Sequence, residues 1–418
     1  MIHASVDPWR PATVFMSYSR KDAAEVASLQ QQLQIRGLRA WRDVNDLEVG
    51  NPTREEIVQA IEQQADAFLL YVTPGFLTST FIWQVEVPTA IGCWEHHRDF
   101  GVIPVLRGVT LAQLRQACAE HGCPDLTAFN ALILPDLPGD ATDAAMNVRL
   151  REVGQRLLRA ALRLRLARIA SNADTYEPHL CFHTFPYMSL ASSLDLDLDW
   201  TALFTPDEHW PAQETWSEVL LPALHDVRQV LSALPHNRTL HLNVQAHLAA
   251  AIALGFAFSL TSRFSLALSN EQKRFTWSTQ ETITDAEPLR SRTYEGTGET
   301  SAAVVEILIS RQIIPAVTQS LSTLGISYGH RLQLEVKEGV SNEAVKDGAH
   351  ALSIARQVGR ELRTLCDRNG VAHIHLFLAC PVELAVLIGH HLNALGTVTV
   401  YEYRKQTREY ILGCMLQH

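Results

Sequence analysis

The sequence predicts an α/β protein: a parallel, doubly wound sheet comes first, and two fused strand–helix–strand units follow in the C-terminal half. Three observations carry this. From residue 13, short β-rich runs alternate with amphipathic helical stretches, the order that gives parallel sheets. Two of the runs, "AFLLYVT" (67–73) and "GVIPVLRG" (101–108), are almost wholly apolar, as strands covered on both faces are. Finally, a segment starting at Leu240 matches another starting at Ile374, the mark of an internal repeat.

The elements follow in order. "TVFMSYS" (13–19) reads as a buried strand. "DAAEVASLQQQLQIRG" (22–37) reads as a helix capped by Asp22 and ended by Gly37. "LRAWRD" (38–43) is a second strand, followed by the polar loop "VNDLEVGNP". In "TREEIVQAIEQQ" (53–64), Thr53 and Glu56 have capping-box spacing. "TSTFIWQVEVPTAI" (78–91) leads into a mostly apolar helix, with Glu86 beside Trp83 and two residues before Pro88. That proline is expected to kink or start the helix near Val87 and to present Glu86 to a cleft.

The Pro-, Gly- and Asp-rich "LPDLPGDATD" (134–143) closes a first domain, 1–143. A connecting helix, 144–170, then repeats Leu150, Val153, Leu157, Ala161 and Leu164 at helical spacing. Seven arginines and one glutamate surround that stripe in "NVRLREVGQRLLRAALRLRLARIA" (147–170). The arginines are expected to be solvated or paired with acids, with a phosphate-facing or self-assembly surface as the alternative. Residues 171–418 form the remaining domain. There, "LHLNVQAHLAAAIALGFAF" and "IHLFLACPVELAVLIGHHL" each place a strand histidine (His241, His375) fourteen positions before a helix glycine (Gly255, Gly389). Each is followed by further strands: "FSLALSN" and "RFTWS" in the first, "TVTVYEYR" and "REYIL" in the second. Neither unit alone is large enough to bury its own core.

At 418 residues the chain exceeds one ordinary core. Its apolar share of 47% with 19% charged residues predicts a soluble protein. No stretch of eighteen apolar residues predicts a membrane span, and the N-terminus lacks a signal-like apolar core. Seven cysteines without a CxxC pair predict a reduced, cytoplasmic protein with neither disulfides nor a zinc site. The net charge of −10 argues against duplex nucleic acid. The pairs His96–His97 and His390–His391 do not converge as ligands, so no metal is expected. No GxGxxG, P-loop, HExxH or nucleophile elbow occurs.

At "FMSYSRKD", "WRDVNDLEVG" and "TSTFIWQVE" the first 140 residues resemble a Toll/interleukin-1 receptor (TIR) domain, a flavodoxin-like fold. The region from about 170 on resembles a SAVED domain, a CARF-related sensor of two fused Rossmann-like units. The resemblance implies an effector of bacterial cyclic-oligonucleotide antiphage defence, in which a bound cyclic nucleotide switches on NAD⁺ cleavage by the TIR domain. It implies that Glu86 is the catalytic acid, although tryptophan here precedes the acid by three residues rather than the four frequent in the family. NAD⁺ is then a substrate and no cofactor is needed. The activator is expected to be a cyclic oligoadenylate, with cyclic tri-adenylate favoured.

Further contacts follow from position. Ser17, Tyr18 and Arg20 follow the first strand, and Trp41 and Arg42 end the second, where such sheets bind ligands. Tyr18 and Trp41 also suit core packing. Trp83 shares a helix face with Glu86 and offers a ring to stack on the substrate. In the sensor half the strand-to-helix loops "VQAH" and "ACPVE" place Gln245, His247, Cys380 and Pro381 at a ligand edge, where helix N-termini favour phosphate. Lys273 and Arg274 add charge there, or form a solvated turn. In the family, the loop corresponding to "VNDLEVGNP" joins neighbouring protomers, which implicates Asp46 and Leu47 in head-to-tail assembly into filaments. A non-enzymatic TIR adaptor, an NAD⁺ cyclase and an ADP-ribosyl transferase are the competing readings.

Overall fold

The computed structural model describes residues 10–42, 53–135, 143–169, 175–186, 194–204, 210–270, 275–283 and 287–417. The chain divides into two units. The first comprises Met1–Cys181, Ala191–Asp199 and Gln229–Asn237, and the second Phe182–Leu190, Trp200–Arg228 and Arg238–His418.

In the first unit β1 (Thr13–Tyr18), β2 (Arg39–Trp41), β3 (Ala67–Val72), β4 (Gly101–Leu106) and β5 (Leu132–Ile133) form one sheet in the order β2-β1-β3-β4-β5. Every pairing is parallel. β1 and β3 are buried throughout, as their apolar runs require. Phe15 stacks between Trp41 (4.6 Å) and Phe68 (5.4 Å), tying three adjacent strands together through their side chains. The strand order reverses between β1 and β3, so this is where a doubly wound sheet opens a crevice at its carboxyl edge.

The helix Ala23–Gln34 lacks the predicted side-chain cap. Asp22 instead accepts a hydrogen bond from the Thr73 hydroxyl at 2.6 Å, tying the loop after β1 to the loop after β3. The expected capping box at Thr53 rests on a side chain outside the described residues. One does form at Thr110 and Gln113, at the start of the helix Leu111–Glu120.

The arginine-rich segment is a helix, Asp143–Ile169, that packs on β3 and β4 within the first unit. Leu150, Val153, Leu157, Ala161 and Leu164 are buried. A Cβ on Gly101 would lie 2.4 Å from the Ala160 Cβ, so glycine there admits the helix to the sheet. Arg165 is wholly buried and paired with Asp195 at 2.7 Å, and it also donates to the Leu194 carbonyl. An unpaired guanidinium in that position would cost several kcal/mol. Two further strands, β6 (His179–His183) and β7 (Leu196–Asp199), follow.

In the second unit the first repeat comprises β8 (Thr239–Gln245), the helix Leu248–Ala257, β9 (Ser265–Asn270) and β10 (Phe275–Ser278). β8 and β9 are parallel, and β10 returns antiparallel to β9. Between the repeats lie β11 (Leu289–Glu295), β12 (Ala302–Leu308), β13 (His330–Val336) and the helix Gly348–Asn369. The second repeat comprises β14 (His373–Ala379), the helix Val382–His390, β15 (Thr397–Arg404) and β16 (Glu409–Leu416). It has the same plan, β14 and β15 parallel and β16 antiparallel to β15. A six-stranded sheet runs β11-β13-β12-β14-β15-β16.

The two repeat helices cross at their glycines. A Cβ on Gly255 would stand 2.0 Å from the Val386 carbonyl oxygen, and one on Gly389 would stand 2.3 Å from that of Ile252. In each case the carbonyl belongs to the residue three before the other glycine, so the contact is its own mirror. Both helices are apolar nearly all round and buried, as helices inside a core must be. The strands obey the same exchange. By register, Asn270 on β9 stands where Glu402 stands on β15. Glu402 accepts from the Ala249 backbone N–H at 2.9 Å, and Asn270 donates to the Glu383 carboxylate. Ala249 and Glu383 are each the second residue of the other repeat's helix.

Candidate functional site

The acid of the first unit sits on an irregular helix. Residues Ile82–Glu86 form a π turn that runs directly into the α-helix Val87–His96. The local cause is Pro88, which has no N–H to donate to an i−4 carbonyl. The wider turn absorbs that defect, with the Val87 N–H reaching the Ile82 carbonyl and the Thr89 hydroxyl satisfying that of Val85 at 2.7 Å. Such π bulges recur at functional sites. The α-helix therefore starts at Val87, with Pro88 in its first turn as expected, and Glu86 ends the π turn before it, 8% exposed.

Ser17, near the carboxyl end of β1, donates its hydroxyl to the Glu86 carboxylate at 2.5 Å. This places the acid at the edge of the sheet where the strand order reverses. Tyr18, next along, has its hydroxyl held by the Arg42 guanidinium at 3.2 and 3.1 Å. Arg42 also donates to Gln30 and to the Ala23 carbonyl. All four are buried, but Ser17 and Tyr18 are neighbours on one strand, so the Ser17–Glu86 pair and the Tyr18–Arg42 pair lie on opposite faces of the sheet. The Tyr71 hydroxyl donates to Glu25 at 2.7 Å, and burial beside that carboxylate pushes the phenol up.

The second unit holds a cavity of 940 Å³. Its walls include Phe275 and Trp277 of β10, Lys346, the start of the helix Gly348–Asn369, and Pro381. Phe275 and Trp277 stack with ring centroids 4.5 Å apart, and Phe275 is the more exposed of the two. Asp347 caps the helix by accepting from the His350 N–H, while the Gly348 and Ala349 backbone lines the cavity. Glu281, Glu343 and Asp347 also line it, and Lys346 is paired with Glu338 at 2.6 Å; the stacked rings and the helix N-terminus suit a base and a phosphate.

Comparison with known proteins resolves both halves. Residues 14–131 match the TIR domain family, and residues 223–416 match the family described as SMODS-associated and fused to various effectors sensor domain, or SAVED. The chain joins a TIR domain to a SAVED domain. Curated relatives include CD-NTase-associated protein 4 of Enterobacter hormaechei, 23% identical over 188 residues, 45% of this chain and 37% of that protein. The Acinetobacter counterpart is 22% identical over 213 residues, 50% of this chain and 43% of its own. The aligned region thus spans less than half the length of either relative. Among solved structures, the Acinetobacter baumannii Cap4 SAVED/CARF-domain containing receptor with the cyclic trinucleotide 3'3'3'-cAAA aligns at TM-score 0.50 and 16% identity. The same receptor with 2'3'3'-cAAA aligns at 0.51 and 15%. Both alignments cover 82% of this chain and 86% of the other, and they establish likeness of fold.

Within the TIR domain, the other residues singled out from sequence take different places. Trp83 is buried, stacked on His121 at 4.8 Å, with its indole N–H bound to the Leu77 carbonyl. It supports the bulge from inside the core. Trp41 is the core partner of Phe15. Arg20 is exposed on the short turn Arg20–Asp22. Asp46 and Leu47 lie outside the described residues.

In the SAVED domain the two loops diverge. His247 is enclosed by Phe185, Phe204 and Trp210, with centroids 5.1 to 5.3 Å away, and its Nδ1 lies 2.7 Å from the Thr184 hydroxyl. Burial pushes the imidazole down to about 4, so it is neutral near pH 7. Gln245 ends β8 half-buried. Cys380 is buried, its thiol pushed up by desolvation and by Glu383 and Glu402. Pro381 alone of these residues lines the cavity. Lys273 and Arg274 lie outside the described residues.

Sequence reasoning missed Phe275, Trp277, Lys346 and Gly348. The alternation "FTW" was the available signal, since it puts two rings on one face of a strand. Among the described residues no group of His, Cys, Asp and Glu is placed to hold a metal ion. No helix among them is long and apolar enough to cross a membrane.

Proposed function

We propose that this protein is a cyclic-oligonucleotide-activated NAD⁺ glycohydrolase of antiphage defence, releasing nicotinamide and ADP-ribose. The observation that carries the reading is Glu86, buried at the sheet edge of a TIR domain and held by Ser17. Cleavage of the nicotinamide–ribose bond passes through an oxocarbenium-like state, as in glycoside hydrolysis. Nicotinamide is cationic in NAD⁺ and departs neutral, so no acid is needed to protonate it. One carboxylate facing the sugar can orient its hydroxyls and stabilise the developing positive charge. The Ser17 hydroxyl fixes one carboxylate oxygen and so orients the group.

The activator is a cyclic oligonucleotide, and the 940 Å³ cavity is its site. Support comes from the Phe275–Trp277 platform beside Lys346 and the helix N-terminus at Gly348, and from the cyclic trinucleotides bound by the A. baumannii receptor. Ligand can raise activity only by favouring one state over another. That state is a head-to-tail assembly of TIR domains, which need not close and so extends into filaments.

The test mixes the full chain with NAD⁺ and a panel of cyclic oligonucleotides, then separates products by chromatography. Glu86→Gln keeps size and removes charge, so ligand-stimulated cleavage should fall at least about a hundredfold with nucleotide affinity unchanged. Wild-type turnover in Glu86→Gln would sink the assignment. Cyclic ADP-ribose as the main product would replace hydrolysis with cyclisation.

A further inference from the structure

The proposed function uses none of the arginines of the helix Asp143–Ile169. Some are committed to structure: Arg165 to Asp195, Arg168 to Asp66 and Arg149 to Glu152. Arg156, Arg159 and Arg163 form one stripe along the helix and, with Arg98, line a cleft of 470 Å³. Its floor includes Gly101, the first residue of β4. The strands are parallel, so the cleft opens at the amino edge of the sheet, while Ser17 and Glu86 lie at the carboxyl edge.

The walls combine charge with flat apolar surface. Trp94 and Phe129 meet edge to face at 5.0 Å, and the Arg98 guanidinium lies over the Trp94 ring at 3.8 Å. Asp99 pairs with Arg163 at 2.8 Å and Glu152 with Arg156 at 2.8 Å. Four guanidiniums against these two carboxylates leave a local positive excess in a chain whose net charge is −10. Among the described residues no carboxylate pairs with Arg159, and its side chain is exposed. Arg159 and Arg163 also wall an adjoining hollow of 560 Å³ lined by Leu166, Ala167 and Leu234.

Guanidinium forks match phosphate oxygens in pairs, and bases stack on aromatic rings and on guanidinium planes alike. The volume lies within the range of small-ligand pockets, roughly 300–1,000 Å³. We propose that this cleft is a second nucleotide site, binding a nucleoside di- or triphosphate with its phosphates at Arg156, Arg159 and Arg163 and its base at the Trp94–Phe129 corner. It is separate from the site of NAD⁺ cleavage and does not depend on that activity.

Calorimetric titration of the full chain tests this, with ADP, inorganic pyrophosphate and adenosine as probes. ADP should bind Glu86→Gln as it binds wild type, since the acid lies at the other edge of the sheet. Arg159→Glu should weaken ADP at least about tenfold, because it turns one attraction into a repulsion. Arg159→Lys should retain most of the affinity, with an unchanged melting temperature in both variants showing that the fold survives. Pyrophosphate and adenosine should each bind more weakly than ADP. Equal ADP affinity in wild type and Arg159→Glu, or no ADP binding at millimolar concentration, would overturn the site. Pyrophosphate binding as tightly as ADP would overturn the role given to the aromatic corner.

Discussion

In the first repeat of the SAVED domain β8 buries every second residue, whereas in the second repeat β14 is buried from Ile374 to Ala379. β14 lies between the parallel strands β12 and β15, and its apolar run is that of a strand covered on both faces. The loops differ more. The first ends in His247, walled in by the domain's own aromatic rings. The second ends in Pro381, on the rim of the 940 Å³ cavity. Yet the backbone crossing of the two helices is the same from either side. The packing that both repeats share is symmetric, while the loops, which lie outside that packing, have different surroundings.

The largest expected effect tests the symmetric part. Gly255→Val and Gly389→Val each force side-chain carbon onto a carbonyl of the opposite helix. Neither backbone can yield without parting the helices, so each should cost more than about 3 kcal/mol. Thermal unfolding of the full chain would show it, and similar losses from both variants are the signature of a mirrored contact. A large loss from one and none from the other would break the comparison.

A smaller effect sharpens the asymmetric part. Burial raises the Glu402 carboxyl from 4.5 to about 7, against the pull of the Ala249 and Leu248 N–H groups. The folded state therefore prefers the protonated acid. The stability this gives is complete below pH 4.5 and is lost as pH rises through about 7. Glu402→Gln does not titrate and should remove about 2–3 kcal/mol of that decline, read from urea midpoints between pH 5 and 8. Asn270, which takes the same place in the first repeat, carries no titrating proton of its own.

The smallest effect separates the two loops. Phe275→Ala should weaken cyclic-oligonucleotide binding by about 1–2 kcal/mol, roughly tenfold, the scale of one stacked base. His247→Ala should lower the melting temperature while leaving that affinity nearly unchanged, because the half-buried ring packs among Phe185, Phe204 and Trp210. Calorimetry on both variants decides the point, and the reverse pattern would move the ligand to the first repeat's loop.

Much of this architecture was legible in the sequence for physical reasons. Alternation of β runs and helices gave the parallel TIR sheet, and the His-to-Gly spacing gave the repeat. What the glycines pack against was not legible, since Gly255 and Val386 meet only through the fold. Asp22 looked like a cap because capping is local, but Thr73 claims it from another loop. Pro88 predicted a kink or a helix start near Val87, and the α-helix does start there, but the π turn that leads into it was not legible. Trp83 shared a helix face with Glu86, yet periodicity cannot say which face the core takes. The SAVED cavity draws on residues near 275, 346 and 381, a grouping that no short window contains.

The mirrored helix crossing also gives the domain an internal pseudo-twofold seam. A contact in which each helix offers the other the same glycine and the same carbonyl is the kind that two identical chains make across a twofold axis. Here that seam lies inside one chain, and the two glycines are the points along it where neither helix has room for a side chain.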